Sequence, residues 1–256
     1  MKLRVGVPFA KHGMVTKETM NSLRTLEQCP DFETEVLMTQ GSNVPLARNN
    51  MVNNNRSSLV HQKLDGFDYL LCVDADTGFT PDHIHQLLKH DLDIISGAYP
   101  MKLHADRFAA GWFGEVRGLS PMDSRVPIDS TGLLEVDWVG CGFLLVRREA
   151  LEAIPYPWFS YDEARYVSDK GECAVAISED IGFCLRAQNS GFKIHLDADC
   201  RVEHVSHPNE RTGSQLLDAL NDLLYNRETI AQHVSAMSKE NARLRAMLSD
   251  QEPREE

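Results

Sequence analysis

Residues 70–79 read LLCVDADTGF, a stretch in which an apolar run leads directly into two aspartates, Asp74 and Asp76. An apolar run that ends in polar turn residues is typical of a buried strand. Because side chains alternate along a strand, the two carboxylates point the same way, about 7 Å apart, and can meet on one cation if the chain turns there. An Asx-type turn, in which aspartate side chains accept backbone N–H groups, explains the same pair of residues.

The segments around this stretch alternate between strand and helix patterns. In chain order the patterns predict strands at 3–10, 34–39, 69–76 and 93–99, with helices between them at 16–28, at 45–63 and from Thr80 onward. Thr80 is a favourable N-cap, and Pro81 fits the first helical position. This alternation predicts an α/β fold with a mostly parallel sheet, which binds ligands at the carboxyl ends of its strands. The two aspartates lie at one such end.

The pattern is less regular between 100 and 135, where Gly, Pro and charged residues are frequent. We expect an irregular connection there, with room for a hairpin. Segment 136–151 then reads as a strand, a Gly-x-Gly turn and a second strand that runs into a helix. Ser178 is a candidate N-cap for a further helix, which Gly191 ends, and residues 193–207 add two short strands.

Length and composition predict one sizeable domain, because 42% of the 256 residues are hydrophobic. We expect this domain at 1–208 and an appended helical segment, with a disordered end, at 209–256. No run of about 18 apolar residues occurs, and the start of the chain lacks the apolar core of a signal peptide, so we expect a soluble protein of the cytoplasm. The six cysteines are scattered without C-x-x-C spacing, which favours reduced, structural thiols.

The charge distribution bears on the partners of the protein. A net charge of -12 argues against a broad basic surface of the kind that grips nucleic-acid backbones. The segment 36–64 contains no Asp or Glu and is locally electropositive through Arg48, Arg56, His61 and Lys63. This segment suits a diphosphate, although a solvated helix face explains it nearly as well.

The C-terminal segment 214–250 has the apolar spacing of a coiled coil. Its seam alternates steps of four and three residues through Leu216, Leu220, Leu223, Ile230, Val234, Met237, Leu244 and Leu248. Asn241 occupies a polar gap in the seam, and such an asparagine often fixes register and limits strand number. We predict parallel self-association with a dimer preferred; the alternative is an amphipathic helix folded back on its own domain.

The chain resembles the GT-A glycosyltransferases over about residues 3 to 207, especially the soluble, family 2-like members of bacteria and bacteriophages. The resemblance rests on VPLARN (44–49), LLCVDADTGFTPDHI (70–84), ISGAYPMK (95–102), VDWVGCGFLLVRREAL (136–151) and SEDIGFCLRAQNSGFKIHLDADCRVEH (178–204). It implies a GT-A, Rossmann-like fold with a mostly parallel sheet and flanking helices, followed by the C-terminal coiled-coil helix. It also implies transfer of a sugar from a nucleotide sugar, foremost a UDP-sugar, to an acceptor hydroxyl.

By this resemblance, Asp74 and Asp76 hold Mn²⁺ or Mg²⁺, which bridges the diphosphate of the donor. His204 matches a further metal ligand, and His207, three residues later, competes with it for that role. Arg48 resembles an arginine near the donor phosphates, while a surface helix charge is the plain alternative.

The remaining residues implied by the resemblance belong to the donor site and to the acceptor site. Pro8, Trp138 and Gly142 join Arg48 and Asp74 in the donor site, although Trp138 also suits core packing and Gly142 a bulge between strands. Asp180, which follows Glu179 at a predicted helix start, matches the base that deprotonates the acceptor in inverting enzymes. A first-turn acid that merely stabilises the helix is the alternative for Asp180.

Several readings of the activity stay open from the sequence. The Q-x-x-R-W motif of processive synthases is absent after the Glu-Asp pair, which favours a single transfer. By the resemblance to phage-type relatives, the acceptor is either a 5-hydroxymethylpyrimidine in phage DNA, which would place the enzyme in the bacterial host cytoplasm, or a glycan or small molecule. The alternatives to a glycosyltransferase are a nucleotidyltransferase and a non-catalytic oligomeric scaffold.

Overall fold

The computed structural model describes residues 1–9, 14–41, 43–53, 64–101, 105–113, 124–168 and 171–205. Within them the elements in chain order are β1 (Lys2–Phe9), α1 (Lys17–Glu27), β2 (Glu33–Gln40), α2 (Val44–Val52), β3 (Tyr69–Val73), β4 (Thr77–Gly78), α3 (Pro81–Leu88), β5 (Ile94–Ala98), β6 (Arg107–Trp112), β7 (Ser124–Pro127), β8 (Leu133–Val136), β9 (Trp138–Val139), β10 (Phe143–Arg147), α4 (Arg148–Ala153), β11 (Asp162–Ser168), β12 (Gly171–Ile177), α5 (Glu179–Asn189), β13 (Ile194–Arg201) and β14 (Glu203–His204).

Seven strands form the central sheet, in the order β2-β1-β3-β10-β5-β13-β8. β1 pairs in parallel with β2 and β3, and β5 pairs in parallel with β13. β10 lies antiparallel between β3 and β5, and β8 is antiparallel at the edge beside β13. The sheet is therefore mixed, with most strands parallel, and is compatible with the predicted Rossmann-like arrangement. The carboxyl ends of β1, β3 and β5 and the amino end of β10 lie at the same end of the sheet.

The strand β3 shows how the alternation of side chains builds two core layers. Leu70 and Cys72 pack on one face of the sheet, and Leu71 and Val73 on the other, and all four are at most 2% exposed. Apolar residues of α2, α4 and α5 cover the first face, and those of α1 and α3 cover the second. Helices on both faces explain why β3 is a continuous apolar run rather than an alternating one.

The elements differ from the predicted ones at several points. α2 ends at Val52, whereas the pattern extended to 63, and positions 54–63 lie outside the described residues. The region expected to be irregular contains β6 and β7, which pair antiparallel, and positions 114–123 between them lie outside the described residues. Where two short strands were predicted, β13 is one long strand and is followed by the short β14. The β11–β12 hairpin directly before α5 has no counterpart among the predicted elements.

Two findings concern the thiols and the helices of the described residues. Free cysteines are found at Cys29, Cys72, Cys141, Cys184 and Cys200. No helix within the described ranges is both long and apolar enough to cross a membrane. The segment 209–256, with the predicted coiled coil at 214–250, lies outside the described residues, so self-association stays a prediction.

Candidate active site

The D-x-D stretch forms a tight turn at the carboxyl end of β3. The backbone N–H of Asp74 donates to the carbonyl of Gly142 over 3.1 Å, which ties the turn to the loop before β10. The N–H of Thr77 then donates to the carbonyl of Asp74 over 3.1 Å and closes the turn. The chain therefore turns where the predicted metal site requires it.

Two threonines at the start of α1 form hydrogen bonds to the backbone of this turn. The N–H of Thr16, the N-cap of α1, donates to the carbonyl of Ala75 over 2.8 Å. The Thr19 hydroxyl lies 3.1 Å from the same carbonyl and 3.0 Å from that of Thr77. Both threonines are buried, so these bonds fix the backbone between the two aspartates.

Arg48 connects three segments that are far apart in the sequence. Its Nη2 donates to Asp74 Oδ1 over 3.0 Å, and its Nε donates to Glu179 Oε1 over 3.4 Å. Its Nη1 donates to the carbonyl of Cys141 over 3.4 Å. The residue is only 5% exposed, which contradicts the alternative of a surface helix charge. The three predicted residues Arg48, Asp74 and Glu179 thus form one ion-pair network.

Burial and charge act against each other in this network. Burial by itself lowers the pKa of Arg48, but the anionic groups around it, including Asp74 and Glu179, hold that pKa well above its usual value. Burial raises the pKa of Glu179, and the nearby Arg48 opposes this rise. Burial also raises the pKa of Cys141 well above its usual value, and the hydrogen bond of this residue to Arg48 is made through its carbonyl.

Tyr99 is a site residue that the sequence analysis did not identify. It follows β5, is 5% exposed, and its hydroxyl accepts a 2.9 Å hydrogen bond from the N–H of Gly142. A Cβ at Gly142 would lie 2.6 Å from Tyr99 Cζ, and one at Gly140 would lie 2.2 Å from the hydroxyl oxygen. The two glycines therefore leave the space that Tyr99 fills. Burial raises the pKa of Tyr99 well above its usual value, and Asp74 and Asp180 raise it further.

His204 lies beside the second aspartate of the turn. β14 pairs with β4, so that His204 is opposite Thr77, and His204 Nε2 lies 3.5 Å from Asp76 Oδ1. Its Nδ1 lies 2.7 Å from the carbonyl of Pro100. Because a carbonyl only accepts, Nδ1 carries a proton. His207, the competing candidate, lies outside the described residues.

The pair of Asp76 and His204 has the chemistry of a divalent cation site. In a neutral imidazole with the proton on Nδ1, the lone pair of Nε2 faces a carboxylate oxygen, and two acceptors at this distance suit a shared cation. Oxygen and imidazole ligands are acceptable to Mn²⁺, and oxygen ligands to Mg²⁺. A protonated ring would instead form an ion pair with Asp76. Asp76 and His204 therefore offer two ligands that suit the predicted metal, whereas Asp74, Asp76 and His204 do not form a group of three ligand atoms within 4.8 Å of one another in the described residues.

Asp180 lies in the first turn of α5, directly after Glu179. Its Oδ1 accepts a 2.8 Å hydrogen bond from the N–H of Ile181 and a further bond from the Ser178 hydroxyl. Ser178 is the N-cap residue, as predicted, but its side chain makes no capping bond to the helix backbone. The hydroxyl instead orients the carboxylate of Asp180.

Pro8 and Trp138 are the remaining residues predicted for the donor site. Pro8 is buried near the carboxyl end of β1, opposite Thr39. Trp138 is 4% exposed and packs in the core, and its Nε1 has no hydrogen-bond partner among the described residues. A further aromatic side chain, Tyr161, is 63% exposed; partial burial, Glu179 and Asp180 raise its pKa, while Arg48 lowers it. Tyr161 therefore lies within electrostatic reach of the network, at a position open to solvent.

Many solved structures are similar to this chain, including the following two. One is A197 from STIV, with a TM-score of 0.47 and 15% identity, and the match covers 81% of this chain and 97% of that chain. The other is GalNAc-T7 with UDP, GalNAc and Mn²⁺, with a TM-score of 0.47 and 12% identity. That match covers 80% of this chain and 44% of GalNAc-T7, so the chain spans less than half of the latter's length. No known protein family matches the sequence, and no curated protein does.

Proposed function

We propose that the protein is a metal-dependent glycosyltransferase that moves one sugar from a nucleotide sugar, foremost a UDP-sugar, to an acceptor hydroxyl with inversion. The observation that carries the proposal is the buried Arg48, which binds Asp74 of the D-x-D turn and Glu179 of the Glu-Asp pair at once. The two acidic motifs come from segments about a hundred residues apart, and this one side chain brings them to the same edge of the sheet.

Asp76 and His204 are the residues that would hold the cation, with Asp74 beside them. When bound, Mn²⁺ or Mg²⁺ would neutralise the negative charge that develops on the departing nucleoside diphosphate. Arg48 fixes the orientation of Asp74 and adds a permanent positive charge near the diphosphate. Its burial makes it a positioning residue for both acidic motifs.

Asp180 is proposed as the general base. The acceptor oxygen attacks the anomeric carbon from the face opposite the diphosphate, and its proton passes to the Asp180 carboxylate. The bond between the anomeric carbon and the diphosphate oxygen breaks, and its electron pair leaves with the nucleoside diphosphate. Because Ser178 and the Ile181 N–H both occupy Oδ1, we assign Oδ2 as the proton acceptor. Attack from the opposite face inverts the anomeric configuration.

A transfer assay tests which donor and which acceptor the protein uses. We would incubate the full chain with Mn²⁺, a panel of nucleotide sugars, and hydroxymethylcytosine DNA, plain DNA or simple glycans as acceptors. The proposal predicts release of a nucleoside diphosphate that depends on metal and acceptor. Asp76→Asn should lower this release at limiting metal, whereas Asp82→Asn, which removes an exposed carboxylate on α3, should not.

The products distinguish the competing activities. Release of pyrophosphate would instead indicate a nucleotidyltransferase. Undiminished turnover in excess EDTA would contradict the metal dependence. Absence of activity with every donor and acceptor would favour a non-catalytic scaffold. Transfer to hydroxymethylcytosine DNA but not to plain DNA would identify the modified base as the acceptor.

A further inference from the structure

A second group of metal-ligating side chains lies away from the candidate active site. It consists of Cys29, Asp31 and His85, whose ligand atoms all lie within 4.8 Å of one another. Asp31 Oδ2 is the central atom, 3.8 Å from Cys29 Sγ and 3.2 Å from His85 Nε2. One sulfur, one oxygen and one nitrogen donor are thus already together.

The group lies at the amino ends of β1 and β2, at the end of the sheet opposite the D-x-D turn. Cys29 and Asp31 belong to the turn between α1 and β2, and Glu33, the first residue of β2, donates its N–H to the carbonyl of Met1 over 2.9 Å. β1 and β2 are parallel, so this turn marks their amino ends, whereas Asp74 lies at a carboxyl end. The two groups cannot share one ion.

Local packing holds the three side chains in place. The turn is closed by backbone bonds from Cys29 to Leu26 over 3.0 Å and from Phe32 to Cys29 over 3.3 Å. The ring of Phe32 packs against His85, with ring centroids 4.8 Å apart. His85 comes from the last turn of α3, so its ring is fixed by a helix on one side and an aromatic contact on the other. The ligands are presented by ordered segments rather than by free surface chains.

Two of the three separations between the ligand atoms are compatible with a shared zinc ion, and the third, between the ligand atoms of Cys29 and His85, lies within 4.8 Å. Tetrahedral zinc, with bonds of about 2.3 Å to sulfur and about 2.0–2.1 Å to nitrogen and oxygen, places its ligand atoms about 3.3–3.5 Å apart. The observed 3.8 and 3.2 Å deviate from these values by only a few tenths of an ångström. A thiolate favours zinc over the hard cations Mg²⁺ and Mn²⁺.

We propose that Cys29, Asp31 and His85 bind a zinc ion, with water as the fourth ligand, and that the ion joins the α1–β2 turn to α3. On binding, the thiol gives its proton to solvent and the sulfur–zinc bond forms. Asp31 is exposed and His85 half-buried, so the ion can enter without unfolding the chain. The competing explanation is a hydrogen-bonded pair of Cys29 with Asp31 beside a surface ion pair.

Cobalt titration of the full chain tests the proposal, because Co²⁺ replaces zinc and reports a thiolate ligand by its charge-transfer absorption. We expect this band to saturate at one equivalent and to disappear when zinc is added. It should be absent in Cys29→Ser and in His85→Ala, and retained in Asp82→Asn on the same helix and in Asp76→Asn of the candidate active site. No band in the wild type, or a band that survives in Cys29→Ser, would overturn the site.

A second measurement uses the wild-type chain alone, so it does not depend on variants that fold. Zinc should slow alkylation of Cys29 by iodoacetamide about tenfold or more, because a metal-bound thiolate is shielded from the reagent. Peptide mapping assigns the modified cysteine. An unchanged alkylation rate of Cys29 in excess zinc would contradict the proposal.

Discussion

Arg48 donates a hydrogen bond to Asp74 over 3.0 Å from a position that is only 5% exposed. The same guanidinium contacts Glu179, so the D-x-D turn after β3 and the first turn of α5 share one buried cation. Removing one member of a buried ion pair leaves an uncompensated charge, which costs more than the pair itself contributes. The geometry of the proposed site therefore depends on Arg48.

Arg48→Met should destabilise the protein by about 3 kcal/mol, because Glu179 would remain buried without its partner. The side chain of Asp74 is 34% exposed and contributes less, since water screens it. Urea unfolding followed by circular dichroism measures the change. Adding Glu179→Gln to Arg48→Met should recover part of the loss; an additive second loss would show that the two residues are not coupled.

Glu179 should make the protein less stable as the pH rises above the usual pKa of a glutamate, near 4.5. Burial raises its pKa in the folded state, so the folded state binds more protons than the unfolded state in the window above 4.5. Its contribution is therefore most favourable below this window and declines as the pH rises through the folded pKa. Melting temperatures between about pH 4 and 8 should show a smaller decline in Glu179→Gln than in the wild type.

Glu152→Gln is the matched control for that comparison, because Glu152 is an exposed residue of α4. Its pH profile of melting temperature should follow the wild-type profile. If Glu179→Gln also follows the wild type, the carboxylate of Glu179 is not a source of pH dependence, which would contradict its raised pKa.

Gly142→Ala should destabilise the protein by about 1–3 kcal/mol, since the added methyl would overlap the ring of Tyr99. Combining it with Tyr99→Leu, which removes the ring, should recover part of this loss. Gly41→Ala serves as the control, because the nearest atom to a Cβ there is 3.9 Å away. Equal melting temperatures for Gly142→Ala and Gly41→Ala would rule out the packing that we assign to Tyr99.

The tail should determine the oligomeric state. A chain shortened to residues 1–208 should run as a monomer, whereas the full chain should form a parallel dimer through 214–250. Light scattering after size-exclusion chromatography measures both masses. A monomeric full chain would contradict the coiled-coil prediction.

Much of the arrangement can be predicted from local patterns. Apolar runs with strand length, the Thr80–Pro81 helix start and the position of Ser178 gave elements close to the observed ones. The D-x-D turn was predicted to face a ligand because parallel strands present their carboxyl ends together, whereas Arg48 was assigned to the same site by the family resemblance alone. The direction of β10 could not be read from periodicity, since a buried strand is equally apolar in either direction.

The missed residues act through contacts between distant positions. Tyr99 fills the space left by two glycines more than forty positions later in the chain, and no local pattern reports such a contact. The Thr19 hydroxyl binds carbonyls that are also more than fifty positions away. A Gly-x-Gly loop is a usable signal that a bulky side chain or a ligand approaches closely, but it does not name the partner.

The proposed chemistry is tested most directly by comparing the wild type with Asp180→Asn in a transfer assay with Mn²⁺, a UDP-sugar and the acceptor found by screening. An amide retains the hydrogen bonds to Ser178 and Ile181 but cannot take a proton, so the variant should fold, bind donor and lose transfer by at least ~10²-fold. The wild-type product should have the inverted anomeric configuration when analysed by NMR. Near-normal turnover by Asp180→Asn, or a product that keeps the donor's configuration, would contradict the account.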